Sequence, residues 1–194
     1  MLLAMRIIAG SYRSRTLQAP PGMATRPTSD RLRETLFNVL APRIEGARFL
    51  DLYSGSGAVG IEAMSRGAEQ VDFVERSEPA LLVLRKNLAQ LGLTAGFRVH
   101  PTSVSSALKK YKPGTAFDIV FLDPPYDAVQ EYAATLSFLG SAASSVLADD
   151  VLVIAEHRKK QALEDRYGQL RRTRLLQQGD AALSFYALSQ PNVG

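Results

Sequence analysis

The run Phe49-Leu-Asp-Leu-Tyr-Ser-Gly-Ser-Gly-Ala-Val-Gly constrains this chain more than any other segment. A short apolar stretch enters a Gly-rich turn, and a helix-compatible stretch leaves it. Gly55, Gly57 and Gly60 keep the spacing G-x-G-x-x-G, and Glu75 lies 20 residues beyond Gly55. In a strand–turn–helix setting this is a nucleotide-binding fingerprint. The glycines let backbone approach a ligand, and a carboxylate at the next strand tip accepts ribose hydroxyls. The spacing alone is a weak signal, and a merely tight strand–helix turn would satisfy it equally.

The rest of the chain supplies the setting. Arg48–Tyr53, Gln70–Glu75, Phe97–His100, Phe117–Leu122 and Val151–Glu156 read as strands. Between them the pattern predicts helices: one ending near Arg66, then Ser77–Leu91, Ser103–Lys110 and Gln130–Leu139. Leu81, Leu84, Leu88 and Leu91 form the core stripe of the second of these. Phe117–Leu122 is almost wholly apolar, as a sheet centre covered on both faces requires, with Asp118 at its entry. Leu170–Gln177 and Ala182–Leu188 flank Gln178-Gly179-Asp180 and read as a closing antiparallel hairpin. The expectation is an α/β fold: a mostly parallel, Rossmann-like sheet with an antiparallel C-terminal hairpin and helices on both faces. Ahead of it, residues 5–18 read as two short strands around Gly10-Ser11, a β-hairpin extension. Residues 19–27 read as a loop. Ser29 is expected to cap a helix that runs to about Leu40 and stops at Pro42. Residues 1–27 are thus expected to be an arm, and 28–194 the main domain.

The fingerprint leaves the nucleotide open. A dinucleotide would set its pyrophosphate at the helix N-terminus. Asp51, four residues ahead of Gly55, would repel that dianion and attract a cation. S-adenosylmethionine carries a sulfonium and an ammonium and no phosphate, so Asp51 tilts the reading toward it. A structural cap of the turn by Asp51 stays open.

Asp123-Pro124-Pro125-Tyr126 follows the fourth strand and falls on the same rim as the glycine turn. Two prolines fix the backbone and remove two donors, so the segment presents acceptors. Such a row suits an exocyclic amine on a base. If Asp123 and the Pro124 carbonyl each accept one N–H, the nitrogen is drawn toward tetrahedral geometry and its lone pair is aimed at a methyl donor. Tyr126 can stack on the extracted base. A rigid Pro-Pro loop with no ligand is the bland alternative.

Charge distribution points to a polyanionic partner. Residues 1–48 hold eight Arg and no Lys against Asp30, Glu34 and Glu45, a net +5, while residues 49–194 carry −1. Arg6, Arg13, Arg15, Arg26, Arg31 and Arg33 fit a nucleic-acid-gripping arm, or else a merely solvated basic surface. No cysteine is present and His100 and His157 stand far apart, so a metal site or a His-based triad is not expected. No apolar run reaches the ~18 residues of a membrane span, and the first residues lack a signal-peptide pattern. A cytoplasmic monomer is the expectation. His100 and His157 read as structural or surface residues rather than catalytic ones. Arg171, Arg172 and Arg174 read as a second RNA contact or a charge-blunted edge strand.

Asp51–Gly60, Glu75 and Asp123–Tyr126 together resemble the class I S-adenosylmethionine-dependent amino-methyltransferases. Arg6-Ile-Ile-Ala-Gly10, Arg13-Ser-Arg15, Thr25–Arg31, Arg33–Asn38 and Gly60–Ala68 are similar to the bacterial RsmD family. The resemblance spans about residues 5–188. It implies methylation of the 2-amino group of one guanine in 16S rRNA of the small ribosomal subunit. By position it implies that Asp51, Tyr53, Gly55 and Gly57 wrap the methionine half of S-adenosylmethionine, with Ser54, Ser56, Arg76 and Val104 alongside. Thr28 would touch the cofactor, Glu75 would hold the ribose, Asp123 and Pro124 the target amine, and Tyr126 the base. The basic segment 6–33 would engage RNA. Where the family commonly has an acidic residue near the adenine, this chain has Ser103, which can still bond the adenine amine. Residues 1–4 precede the family's usual start at Met5. Three alternatives remain at this point: a DNA adenine amino-methyltransferase, a non-catalytic rRNA-binding assembly factor, and, more weakly, an NAD oxidoreductase.

Overall fold

A computed structural model describes residues 5–19, 27–112, 114–125, 128–141 and 146–189, without the side chains of 27–29. The strands are β1 (Met5–Arg6), β2 (Thr16–Leu17), β3 (Arg48–Leu52), β4 (Gln70–Glu75), β5 (Phe97–Pro101), β6 (Phe117–Leu122), β7 (Leu147–Arg158), β8 (Arg166–Tyr167), β9 (Leu170–Gln178) and β10 (Ala181–Leu188). The helices are α1 (Pro27–Leu40), α2 (Ala58–Ser65), α3 (Glu78–Gln90), α4 (Val104–Lys110) and α5 (Val129–Leu139).

β3 to β10 form one eight-stranded sheet in the order β5-β4-β3-β6-β7-β10-β9-β8, and β1 pairs with β2 in a separate antiparallel ribbon. The strands from β5 to β7 are parallel and the last three are antiparallel, as the sequence pattern implied. The strand order reverses between β3 and β6. In an open α/β sheet that reversal opens a crevice at the carboxyl ends.

Alternation along the strands sorts the core onto two faces. Phe49, Phe73, Ile119 and Phe121 face one apolar cluster, which includes Leu36 and Phe37 of α1, Ile61 of α2 and Leu84 of α3. Leu50, Leu52, Val74, Val120 and Leu122 face the other, with Val104 of α4 and Tyr132 and Leu136 of α5. Ile7 and Leu17 of the N-terminal ribbon sit in the first cluster. The arm is thus part of the core rather than a free appendage.

The departures are local. α1 starts at Pro27, two residues before the expected Ser29 cap. Proline suits a first helical position, where its missing N–H costs nothing. Ser77 stands at the N-cap of α3 but its side chain makes no capping bond, whereas Ser103 does cap α4 by accepting the Ser106 N–H. β7 begins four residues before the expected Val151. Its pairing jumps from Leu147 opposite Phe117 to Leu152 opposite Ile119, and a bulge carrying Asp149 and Asp150 hides the early strand from an apolar pattern. The two-residue β8 is too short for any periodicity to announce.

Candidate active site

Register brings the distant motifs to one level. Leu52 pairs with Val74 on one side and Leu122 on the other. Tyr53, Glu75 and Asp123 therefore leave their strands side by side, flanking the reversal in strand order. β4 and β5 end together at Glu75 and Pro101, which sets Ser103 on the same rim.

Within the turn, Asp51 is 1% exposed, and its Oδ2 accepts the Gly60 N–H at 2.9 Å. The carboxylate therefore ties β3 to the first turn of α2, the structural cap that the sequence left open, where it also meets the positive end of the helix dipole. Glu75 accepts twice: Oε2 from Gly55 N–H at 2.9 Å and Oε1 from Ser77 N–H at 2.7 Å. Each oxygen retains a lone pair for a further donor. Ser54 donates to the carbonyls of Asp51 and Val74, at 2.7 and 3.2 Å, so its hydroxyl knots β3 to β4. Gly57, the N-cap of α2, has φ 80°. A Cβ there would lie 2.3 Å from Leu84 Cδ1, so the Leu84 side chain would have to shift, and the positive φ itself disfavours any other residue.

Tyr53 is held in the left-handed region, φ 63°. Its hydroxyl bonds Glu131 Oε2 at 2.8 Å and Thr135 Oγ1 at 2.9 Å, both on α5. Burial, with the Glu131 contact, pushes the phenol up, and it stays neutral. Tyr53 therefore reaches α5 with its side chain and leaves its backbone to the turn. Arg76 is exposed, Ser56 is buried, and Val104 packs into the core beneath α4. Asp123 is half-buried, Pro124 buried and Pro125 exposed. The Pro125 carbonyl accepts the Ala128 N–H at 2.8 Å. Tyr126, Arg26 and the side chain of Thr28 lie outside the described residues.

The electrostatics select a ligand class. Burial raises the Asp51 pKa to about 8, against the pull of the Gly60 N–H, and the negative charges of Asp123 and Glu75 raise it further. Glu75 and Asp123 thus bring two further acidic side chains to the neighbourhood of Asp51, and such an acidic rim suits a positively charged ligand and opposes a pyrophosphate. A sulfonium and an ammonium fit this donor set. Among the described residues no His, Cys, Asp and Glu group is arranged to hold a metal, and no helix is long and apolar enough to cross a membrane.

The arm corrects one expectation. Arg33, read as a phosphate contact, is 5% exposed. It donates to the Arg6 carbonyl at 2.5 Å and to Asp30 Oδ1 at 3.0 Å, and its Nε lies 3.9 Å from Glu62 Oε2. Desolvation would make a buried guanidinium costly without these partners. Arg6, Arg13, Arg15 and Arg31 are exposed, and Arg15 also donates to the Gln90 carbonyl.

Sequence reasoning missed the residues that seat the arm. Glu62, fully buried on α2, accepts the Ile8 and Ala9 N–H groups at 2.8 and 3.0 Å and the Arg66 Nε at 2.8 Å. Ser65 accepts the Tyr12 N–H. At Gly10, φ 81°, a Cβ would lie 1.7 Å from the Ser65 carbonyl oxygen, so only glycine allows this approach. Asn87 of α3 bonds the Gln18 backbone. The available signal was a polar residue on a core-facing helical stripe, here Asn87 beside Leu84 and Leu88. His157 is structural as expected, between Arg158 O and Ser184 Oγ. His100 bonds Asp72, whose carboxyl burial raises, but His100, Tyr111 and Gln70 together hold it below its usual value.

A family model described as Conserved hypothetical protein 95 matches residues 5–187. The Bacillus subtilis protein named "Putative rRNA methyltransferase YlbH" is 38% identical over 183 residues, covering 94% of this chain and 98% of its own length. Escherichia coli "Ribosomal RNA small subunit methyltransferase D" is 44% identical over 122 residues, 63% of this chain and 60% of that protein. The solved structure titled "Putative methyltransferase yhhF from Escherichia coli" superposes with a TM-score of 0.80 at 36% identity, covering 96% of this chain and 98% of that one. Fold, rim and matched length converge, and the chain belongs to this family, the RsmD family of methyltransferases.

Proposed function

We propose that the protein transfers a methyl group from S-adenosylmethionine to the exocyclic 2-amino group of a guanine in 16S rRNA. The observation that carries this reading is the level placement of Asp123 beside Glu75 and the Asp51 turn on adjacent strand ends. An amine-accepting segment and a cation-accepting turn then share one crevice. The names of the relatives, which speak of rRNA and of the small subunit, support the choice of substrate.

When bound, S-adenosylmethionine supplies an electrophilic methyl on a positively charged sulfur. The residues of this chain do the rest. Glu75 takes ribose hydroxyls on the lone pairs that Gly55 and Ser77 leave, and the Asp51 turn meets the charged half of the cofactor. Asp123 and the Pro124 carbonyl accept the two N–H groups of the base, and this draws the nitrogen lone pair out of conjugation. With a methyl donor in the crevice, the Asp123 carboxylate would stabilise the positive charge developing on the amine nitrogen and would accept the proton that the amine gives up. Tyr126 stacks on the base. Exposed Arg6, Arg13, Arg15 and Arg31, with Arg26, hold the phosphate backbone, and residues 1–27 act as the RNA-facing arm of a domain spanning 28–194.

The test is mass mapping of modified nucleosides in ribosomal RNA from cells with and without the protein. The expected result is one N2-methylguanosine in 16S rRNA that disappears with it. Unchanged rRNA together with lost N6-methyladenine in DNA would replace this substrate with a DNA adenine.

A further inference from the structure

We propose that Asn87 is a positioning residue that makes the cofactor turn and the N-terminal arm one cooperative unit, so that filling the cleft and seating the arm reinforce each other. The proposal rests on the reading of the glycine turn as the cofactor seat.

Asn87 is 0% exposed and occupies the α3 stripe between Leu84 and Leu88, where an apolar residue would need no partner at all. Its amide instead makes three hydrogen bonds to two separate parts of the molecule. Oδ1 accepts the Gln18 N–H at 2.8 Å, and Nδ2 donates to the Gln18 carbonyl at 3.1 Å and to the Ser56 carbonyl at 3.0 Å. Gln18 ends the arm ribbon, and Ser56 lies between the two glycines of the turn. Both amide protons are used, and exchanging O and N would set an NH2 against the Gln18 N–H, so the network fixes the amide's orientation.

The mechanical connection is short. Leu84, one helical turn earlier, packs close against Gly57, where a Cβ would lie 2.3 Å from Leu84 Cδ1. On the other flank, Glu62 holds Ile8 and Ala9 on α2, whose first turn is bound by Asp51. The arm is therefore tied to both helices that leave and follow the turn, but only Asn87 among the described hydrogen bonds touches arm and turn with one side chain. A shift of the Ser56 carbonyl on ligand binding changes the bonds that Asn87 offers Gln18. By linkage, whatever fixes the arm acts back on the turn by the same factor.

The experiment is hydrogen exchange of the full-length protein, with and without saturating S-adenosylmethionine, together with titration of the same cofactor. In the wild type, cofactor should slow exchange at the Gln18, Ile7 and Ser14 amides at least about five-fold, the lower end of ordinary coupling. Asn87→Leu keeps the bulk and removes the three bonds. Its arm amides should exchange faster and no longer respond to cofactor, and the KM for cofactor should rise more than kcat falls. A purely structural role would lower protection yet leave the response intact. Gln18→Pro removes the arm's donor to Asn87 and keeps the residue 18 carbonyl, while fixing φ in a stretch that is already extended, and should weaken cofactor binding about five-fold although no described hydrogen bond joins residue 18 to the turn. That variant decides the matter if Asn87→Leu does not fold. Wild-type cofactor affinity in Gln18→Pro, or a cofactor-bound wild type whose arm exchange is unchanged, overturns the coupling alone. A wild type that does not bind S-adenosylmethionine overturns the proposed function and the coupling with it.

Discussion

The rim and the arm are built by opposite rules. At the rim, each side chain that matters sits within a few residues of a strand end, and the parallel register does the assembling. Asp51, Glu75 and Asp123 are 24 and 48 residues apart in sequence yet adjacent in space, because β4, β3 and β6 are neighbours in the sheet. In the arm, position along the chain says little. Arg13 and Arg33 belong to one basic run, but one is exposed and the other is buried against Asp30 and Glu62. Local geometry decides the rim, whereas long-range partners decide what an arginine in the arm does.

The largest expected effect lies at the rim. Asp123→Ala should lower single-turnover methyl transfer at least about 100-fold, the scale for losing one preorganised polar group that meets developing charge. Binding of S-adenosylmethionine, measured by titration, should stay close to wild type, because Asp51 and Glu75 still line the turn. More than a tenth of normal turnover in that variant would remove Asp123 from the chemistry, and the rim would then be a binding surface like the arm.

Next comes a break in the arm's seat. Glu62→Ala leaves the buried Arg33 and the half-buried Arg66 without the Glu62 carboxylate and the Ile8 and Ala9 N–H groups without an acceptor. Removing one partner of a buried ion pair costs about 3–5 kcal/mol, read as a lower urea midpoint. Asp30 and the Arg6 carbonyl still hold Arg33, which points to the lower part of that range. A loss under about 1 kcal/mol would mean that Glu62 does not hold the arm and that the Ser65 contacts suffice to seat it on α2.

This contrast explains what the sequence could and could not disclose. The strands β3 to β6, the hairpin β9–β10 and the rim carboxylates were legible because alternation, apolar length and turn glycines are local signals. The structural half of Asp51's role needed the distance to Gly60 as well as the motif. Ser54 and Tyr53 lie within the motif, yet one hydroxyl closes on β4 and the other on α5, and no spacing rule specifies either partner. Glu62 was hidden because it looks like an ordinary helical carboxylate until Ile8 and Ala9, more than 50 residues earlier, are folded onto it. Asn87 stood out as a polar residue on the Leu84–Leu88 stripe, but its partners Gln18 and Ser56 lie far off in sequence, and β7 was shortened because Asp149 and Asp150 interrupt its apolar pattern.

The smallest expected effect sharpens the contrast within the arm itself. Each phosphate neutralised by a protein cation contributes about one unit to the slope of log affinity against log salt. Arg13 is exposed, so Arg13→Ala should lower that slope by about one, weaken RNA binding modestly and leave the urea midpoint unchanged. Arg33→Ala should do the reverse. Its guanidinium is sequestered from any phosphate, so the slope of the folded variant should match wild type while the midpoint falls. Slope and midpoint, measured on both variants in the same buffers, separate the two fates of arginine. If Arg33→Ala lost a unit of slope at full stability, the buried ion pair would have to open to admit RNA, and the arm would be as ligand-responsive at its root as at its tip.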